Sequence, residues 1–309
     1  MFKVIDTHLC KSLSEWSSLC DDAKEVCREL ARIVDIMGLR HSELETIPKN
    51  SVKPFVYILL KLANSNYLKI ESMVLNIFCQ MFYYGIDYAV ENNEAFRHPV
   101  AFTALRLLAR ENCGNITDDD LDNGTAILQA AWMYRRDVLL YFQCYMDVVV
   151  KVVILCISRF RDNALAVASP GSSHENTSIT IGIALGRGLK LIQYIATAED
   201  FEGNYTYGYE KDRLQRLDIV KNLVQMVELV VAGFEFTPFH VEVGLNIMTG
   251  LCKSELRVIR GNELRVLTDF LGSETVNKYG TDVKRLLLEV INTNSEVINR
   301  NSIFKSIIS

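Results

Sequence analysis

The stretch GLNIMTGLCKSELRVIRGNELRVLTDFL, residues 244–271, predicts two helices joined by a short polar turn. Apolar residues recur at three- and four-residue steps on both sides of Ser254 and Glu255, as they do along the buried face of a helix. A second Ser-Glu pair, Ser295 and Glu296, follows the run LLLEVINTN and lies 41 residues further along the chain. The spacing therefore favours a helical unit that is repeated.

Helical periodicity extends over most of the chain. The first predicted helix begins at the capping box formed by Ser12 and Glu15 and ends at Gly38. Further helices are predicted over 52–64, 66–90, 94–112, 125–160, 187–198, 211–233, 239–253, 262–271, 275–292 and 296–308. The alternating run TSITIGIAL, 177–185, has no second strand with which to pair, so it predicts the start of a helix. The sequence thus predicts an all-α protein of about ten or more helices.

Two polar segments without periodicity interrupt this series. One covers 163–178 and contains SPGSSHENTS, and the other is EDFEGNYTYGYE, 199–210. No long Gly/Ser or Pro/Ser linker divides the chain, which has only 5 Pro and 16 Gly among 309 residues. We therefore predict a single helical domain over 1–309, with loop insertions at these two places.

The repeat spacing and one sequence signature point to a family of helical arrays. Periods of about 40–47 residues are typical of armadillo and HEAT solenoids, and 244–271 resembles an armadillo unit. The matching positions are Leu245, Asn246 and Ile247 in the first helix, Ser254 and Glu255 in the turn, and Leu264, Leu267 and Leu271 in the second helix. The resemblance implies an armadillo-like, right-handed α-solenoid, and the alternative is an irregular helical bundle.

The resemblance is uneven along the chain. The signature recurs in VLNIF, 74–78, and less fully in VKNLV, 220–224, and the similarity is clearest over 239–309. The Gly that commonly opens the next armadillo unit is present once, at Gly261. The resemblance therefore carries most weight for residues 239–309.

Composition narrows the class of function. The net charge is −5, whereas a nucleic-acid-binding protein normally has a strong basic excess, so no nucleic-acid partner is expected. The eight Cys include no C-x-x-C pair, which predicts free, buried thiols in a reducing compartment. The first residues lack the apolar core of a signal peptide, so a cytoplasmic location is expected, with the nucleus possible.

The apolar run VLLYFQCYMDVVVKVVILCI, 138–157, is long enough to span a bilayer. Gln143, Asp147 and Lys151 interrupt it, and one charge near the middle of a bilayer costs about 2.5–3.5 kcal/mol. Asp147 and Lys151 are four residues apart and can pair on one helical face. We therefore predict a buried helix and no membrane span.

The acidic run TDDDLDNGT, 117–125, suggests an alternative function. Asp118, Asp119 and Asp122 satisfy D-D-x-x-D, which in an all-α chain resembles an isoprenoid synthase that holds magnesium against a diphosphate. These residues precede the predicted helix instead of ending one, and the second metal motif of such enzymes is absent. The run therefore favours acidic residues at a turn and a helix start, where the helix dipole stabilises them.

The run GIALGRGLK, 182–190, contains three Gly and a Lys but lacks the residue order of a phosphate-binding loop. It predicts close packing of helices. No nucleophile–base arrangement is evident, so no catalytic residue, metal site or cofactor is predicted.

The predicted function is that of a non-enzymatic scaffold or adaptor, which binds a peptide or helix of another protein on a concave surface. In armadillo proteins, Asn side chains on the inner helices hold the backbone of an extended peptide. By resemblance, the binding positions here are Asn76, Asn222 and Asn246. Arg257 and Arg260 are predicted neighbours that can receive an acidic partner.

Overall fold

The structure, a computed structural model, describes residues 25–26, 28–33, 49–64, 67–83, 94–110, 116–134, 144–166, 174–198, 201–202, 205–254 and 259–308. The chain divides into two compact units, Met1–Tyr145 and Met146–Ser309. Each unit has buried apolar residues of its own. The single domain predicted over 1–309 stays a prediction.

The described elements are helical apart from one two-stranded hairpin. In the first unit, residues 25–26 and 28–33 are helical, and they are followed by α1 (Lys49–Leu62), α2 (Leu68–Tyr83), α3 (Glu94–Leu108) and α4 (Asp118–Tyr134). The helix α5 (Tyr145–Ala166) leads into the second unit, which continues with α6 (His174–Ala196), β1 (Phe201–Glu202), β2 (Tyr205–Thr206), α7 (Gly208–Arg216), α8 (Ile219–Val231), α9 (Pro238–Lys253), α10 (Gly261–Gly272), α11 (Thr275–Lys278) and α12 (Gly280–Ile308).

These elements confirm the all-α prediction and correct several boundaries. The run at 177–185 lies inside α6, as predicted, and α5 and α6 also occupy much of the loop predicted at 163–178. Within 199–210, the strands β1 and β2 pair as a short antiparallel hairpin. The helix predicted over 125–160 is wrong, because α4 ends at Tyr134 and α5 begins at Tyr145.

The second Ser-Glu pair is not a turn. Ser295 and Glu296 lie in the middle of α12, so the predicted break between 292 and 296 is wrong. No Gly or Pro occurs between 281 and 308 to end the helix. Ser295 instead donates its hydroxyl to the carbonyl of Ile291 at 2.8 Å, which is a common arrangement inside helices. The 41-residue spacing therefore does not mark two equivalent turns.

A buried ionic cluster holds the first unit together. The carboxylate of Glu71, 1 % exposed on α2, pairs with Arg106 on α3 and with Arg110 just beyond it. Thr117 caps α4 and exchanges hydrogen bonds with Asp120, whose charge also acts on Arg110. Breaking such a pair leaves an uncompensated buried charge, so the cluster fixes how α2, α3 and α4 meet.

In the second unit, three pairs of helices that are close in sequence are antiparallel. Val153 of α5 lies against Gly188 of α6, and Phe160 lies against Gly182, so α5 and α6 run in opposite directions. A short connection, 232–237, joins α8 to α9, and Met226 of α8 packs against Gly244. The pair α10 and α12 is antiparallel as well, because Ile259 contacts Asn294 whereas Phe270 contacts Tyr279.

These pairs place α6, α9 and α12 side by side and parallel. Gly186 of α6 approaches the start of α9 at Phe239, and the end of α6 at Ala196 approaches Gly250 near the end of α9. Lys253, which ends α9, forms an ion pair with Glu289 of α12 at 2.9 Å. We call these three helices the parallel layer. The helices α8 and α10 pack against each other behind it.

The start of α12 lies close to the start of α9, as a parallel arrangement requires. Burial raises the pKa of the Tyr279 hydroxyl, and the charge of Glu235 raises it further. Glu235 precedes α9 by three residues, and Tyr279 directly precedes α12. The two helices therefore begin at the same end of the layer.

At the other end of the parallel layer, the buried side chain of Lys211 connects α6 to α9. It lies on α7 with 3 % of its surface exposed, and its ammonium donates to the Ala198 carbonyl at 2.6 Å and to the Ser254 hydroxyl at 3.3 Å. Ala198 follows α6 and Ser254 follows α9. The cation thus sits where the dipoles of two parallel helices both favour positive charge.

The stretch Ile179–Ala196 of α6 is long and apolar enough to cross a bilayer, and 56 % of it is buried inside the fold. The core helix of a soluble protein meets the same criterion. The predicted absence of a membrane span stays a prediction.

Candidate functional site

The first turn of α9 is fixed by a capping box that includes a buried histidine. The Thr237 hydroxyl accepts a hydrogen bond from the His240 backbone N–H at 3.4 Å, and Pro238 follows at the first helical position. The His240 ring accepts from the Thr237 backbone N–H at Nδ1, 3.3 Å away, and donates from Nε2 to the Gly182 carbonyl at 2.9 Å. Since a carbonyl only accepts, this arrangement requires the neutral ring with its proton on Nε2.

Burial lowers the pKa of His240, and the hydrogen bond to the Gly182 carbonyl partly opposes this shift. The rings of Phe160, Phe236 and Phe239 surround the imidazole at centroid distances of 6.4, 6.4 and 6.0 Å. The neutral imidazole is thus an anchor that ties α9 to α6 and leaves no lone pair for chemistry.

Glycines allow α6 and α9 to approach closely. A Cβ atom on Gly186 would lie 3.2 Å from the ring of Phe239, and one on Gly250 would lie 2.4 Å from the Ala196 carbonyl oxygen. A Cβ on Gly188 would lie 2.9 Å from Val153 of α5. The prediction that GIALGRGLK is a site of close helix packing is therefore confirmed.

One stripe of α9 is left open by its neighbours. Phe239, Glu242, Asn246 and Lys253 follow one another at steps of three, four and seven residues, which places them on one helical face. Phe239 is 43 % exposed, and Glu242 and Asn246 are partly exposed. Leu245 and Ile247, on either side of Asn246, are both fully buried. We call these four residues the open face of α9.

The two neighbouring helices of the parallel layer border this face. On α6, the Lys190 ammonium lies 5.3 Å from the centre of the Phe239 ring and donates to the Gln193 side chain at 2.8 Å. On α12, Glu289 accepts from Lys253. Beside that pair, α12 presents a shallow, open surface that runs from Thr281 to Glu296. Aromatic, cationic, acidic and amide groups thus share one surface.

Two polar side chains of the open face have hydrogen-bonding groups that no other described residue engages. Asn246 and Glu242 have no hydrogen-bond or ion-pair partner among the residues that the structure describes. An Asn amide offers two N–H donors and one acceptor, and a carboxylate offers acceptors only. The pair can therefore bind a backbone amide and a cation at neighbouring points.

Asn294 shows what an amide in this layer can do. It lies on α12 with 1 % of its surface exposed. Its Oδ1 accepts from the Ile259 backbone N–H at 2.8 Å, and its Nδ2 donates to the Ile259 carbonyl at 2.9 Å. The side chain holds both polar groups of one residue in the connection to α10. Asn294 is thus a backbone clamp that acts within the chain.

The other predicted binding residues that the structure describes lie on or beside helices other than α9. Asn76 lies on α2 in the first unit, where its Oδ1 accepts from Gln80 at 2.9 Å. Asn222 lies on α8, behind the parallel layer, and donates to the Asp218 carbonyl one turn earlier at 3.2 Å. Arg260 is exposed at the start of α10, and Arg257 lies outside the described residues. Their roles in binding stay predictions.

The acidic run lies inside a helix and not ahead of it, which corrects the predicted start at 125. Asp118, Asp119 and Asp120 form the first turn of α4, and Asp122 follows in the next turn. Asp120 is 5 % exposed and completes the capping box with Thr117. Over the described ranges, no group of three or more His, Cys, Asp or Glu side chains is arranged to hold a metal ion.

The free thiols follow the prediction in part. Cys156 and Cys252 are buried, Cys79 is partly buried, and Cys144 is exposed. Cys144 lies in the turn before α5, where the sequence predicted an unbroken helix. The wrong helix boundary explains why its exposure was missed.

Sequence patterns could have revealed two residues that were missed. In VEVGLNIMTGLCK, 241–253, the polar residues Glu242, Asn246, Thr249 and Lys253 recur at steps of four, three and four, which marks Glu242 as a neighbour of Asn246. In α12, Asn294 occupies a position of the apolar stripe that also contains Val290 and Val297. A polar residue in such a stripe requires a buried partner.

Comparisons with known proteins do not assign the chain to a family. No family model matches it, and neither a curated protein nor a solved structure is significantly similar to it.

Proposed function

We propose that this chain is a non-enzymatic interaction scaffold, which binds an extended peptide or a helix of another protein on the open face of α9. In this proposal the second unit is a short, right-handed α-solenoid of armadillo type that works in a cytoplasmic or nuclear setting. The parallel layer supports this, because stacked helix pairs expose equivalent helices side by side on one surface. Asn246 lies on the central helix of the three.

The observation that carries the proposal is the unpartnered amide of Asn246. It is partly exposed between buried Leu245 and Ile247, so the backbone of α9 holds its position while its polar atoms remain available. An extended peptide has one N–H and one carbonyl per residue to satisfy. Asn246 offers the complementary donor and acceptor, as Asn294 does for Ile259.

The proposal can be tested with peptides selected for binding. A library of random twelve-residue peptides is displayed and enriched on the full chain, and the dissociation constants of enriched peptides are measured by fluorescence anisotropy. Asn246→Ala removes one or two hydrogen bonds to the peptide, each worth about 0.5–1.5 kcal/mol, so Kd should rise by about twofold to roughly a hundredfold. The melting temperature should not change, because the amide has no partner within the described fold.

Asn262→Ala is the matched control, since it removes the same side chain from an exposed position on α10, a helix behind the layer. Its Kd should equal that of the unsubstituted chain. The proposal is wrong if no peptide is enriched, or if enriched peptides bind the Asn246→Ala variant with unchanged affinity.

A further inference from the structure

The charges around the open face of α9 are compensated unequally. Lys253 is paired with Glu289. Lys190 is held by the Phe239 ring and the Gln193 side chain. Glu242 is the exception, because it has no ion-pair or hydrogen-bond partner in the described parts of the chain. An uncompensated carboxylate beside a free amide points to the charge of what binds there.

We infer that the segment bound on the open face of α9 carries a Lys or Arg whose side chain pairs with Glu242 while its backbone is held by Asn246; this inference rests on the proposed function. Glu242 and Asn246 are four residues apart on one helix, so their Cβ atoms are about 5–6 Å apart. A single basic residue of an extended peptide presents both its backbone amide and its cation to such a pair. An Arg would add a bidentate contact to the carboxylate.

The apolar end of the open face predicts a second feature of the bound segment, which is an apolar residue. Phe239 lies one turn before Glu242 and is 43 % exposed. On α6, Ile183 lies seven residues before Lys190 and therefore on the same side of that helix, and it is 45 % exposed. An aliphatic or aromatic residue of the segment has these two side chains to pack against.

The geometry of α9 sets the distance between the apolar contact at Phe239 and the backbone contact at Asn246. Phe239 and Asn246 are seven residues apart, which is about 10 Å along α9. About three residues of an extended chain cover that length. The bound segment should therefore place an apolar residue about three positions from its basic residue.

Lys190 determines at which end of the open face of α9 a cation can bind. Its ammonium is 5.3 Å from the centre of the Phe239 ring, so a second cation at that end would be repelled. The basic residue of the segment is thereby confined to the end of the face that contains Asn246.

The inference is tested by repeating the peptide selection on a charge-reversed protein. Peptides enriched on the unsubstituted chain should contain Lys or Arg at one fixed position, with an apolar residue about three positions away. On Glu242→Lys, enrichment at that position should change to Asp or Glu. For a peptide enriched on the unsubstituted chain, Glu242→Gln should raise Kd by about threefold to tenfold, as expected for the loss of a partly exposed ion pair with a hydrogen-bonded carboxylate.

Glu228→Lys is the control, because Glu228 is exposed on α8 and the same change there alters the net charge equally. It should leave the enriched sequences unchanged. If enriched peptides lose affinity for Asn246→Ala but show no preference for a basic residue, or keep that preference on Glu242→Lys, the inference is wrong and the proposed function stands. If no peptide is enriched, or if Asn246→Ala has no effect, the proposed function fails and the inference fails with it.

Discussion

Asn294 and Asn246 are the same residue type on neighbouring helices of one layer, but their amides have opposite surroundings. Asn294 is buried, and both its amide atoms bind the backbone of Ile259. Asn246 is partly exposed and has no partner among the described residues. The side of the helix decides the difference, since Asn294 shares a stripe with buried Val290 and Asn246 shares a stripe with exposed Phe239.

The comparison shows how one side chain can serve either the fold or a partner. The backbone that Asn294 holds leads directly into Arg260, whose φ of −140° and ψ of 165° are those of an extended chain. An Asn of the parallel layer therefore already binds the backbone of a non-helical residue, and that residue belongs to the same molecule. The proposed role of Asn246 is the same contact made with a second molecule.

The largest effect should come from removing the internal clamp. Asn294→Ala leaves the N–H and the carbonyl of Ile259 without their partner in a site where Ile259 is fully buried. Each buried polar group left unsatisfied costs about 1–3 kcal/mol, so the free energy of unfolding should fall by about 2–6 kcal/mol.

Urea denaturation followed by circular dichroism would measure that loss. Asn292→Ala is the control, because Asn292 is exposed on the same helix two residues earlier. Equal stabilities of the two variants would show that Asn294 is not a clamp.

A smaller loss should follow from separating α6 and α9. Gly250→Ala places a methyl group 2.4 Å from the Ala196 carbonyl oxygen, which is backbone and cannot rotate away. Overpacking of this kind costs about 1–3 kcal/mol. Thermal denaturation should show a lower melting temperature for Gly250→Ala than for Gly272→Ala, whose methyl group would meet nothing within 4 Å. If both variants melt alike, the two helices are not in close contact.

The buried end of α9 should make stability depend on pH. His240 takes up a proton near pH 6.5 in the unfolded chain and at lower pH in the folded chain, because burial lowers its folded pKa. The unfolded state therefore binds more protons between these two values. The contribution of His240 to stability is complete above pH 6.5 and is lost as the pH falls through the folded pKa.

Melting temperatures at pH 7.5 and pH 5.5 test this expectation. The unsubstituted chain should lose more of its melting temperature between the two values than His240→Gln, in which residue 240 does not titrate. An identical pH dependence in both proteins would show that protonation of His240 does not weaken the start of α9.

The smallest effect on stability should be that of the open amide. Asn246→Ala should change the free energy of unfolding by no more than about 0.5 kcal/mol, as substitutions away from buried contacts usually do. Urea denaturation beside Asn294→Ala gives the comparison directly. A loss close to that of Asn294→Ala would place Asn246 among the residues that hold the fold.

The sequence predicted helices where apolar periodicity was long and bounded by a cap or a Gly. The helix predicted over 239–253 agrees with α9 to within one residue, since Thr237 and Pro238 mark its start. The prediction from periodicity was wrong where a helix continues through polar residues, as α12 does at Ser295. The prediction of one helix over 125–160 also failed, since α4 ends at Tyr134 and α5 begins at Tyr145.

The sequence predicted only part of the candidate site, because local spacing does not determine which helices become neighbours. The signature around Asn246 marked a residue that proves partly exposed, and the same signature marked Asn222, which hydrogen-bonds within α8. Lys190 reaches the open face through the contact of Gly186 with Phe239. That contact joins residues 53 positions apart, and no local pattern specifies it.

The side-chain amide signals of Asn246 and Asn294 can show whether a peptide binds on the open face of α9. In a nitrogen-15 correlation spectrum, both signals are assigned by loss on substitution, and an enriched peptide is then added to saturation. The Nδ2 signal of Asn246 should shift as the peptide binds, while that of Asn294, already bonded to Ile259, keeps its position. A bound peptide that leaves the Asn246 signal unmoved would contradict the assignment of the open face of α9 as the binding site.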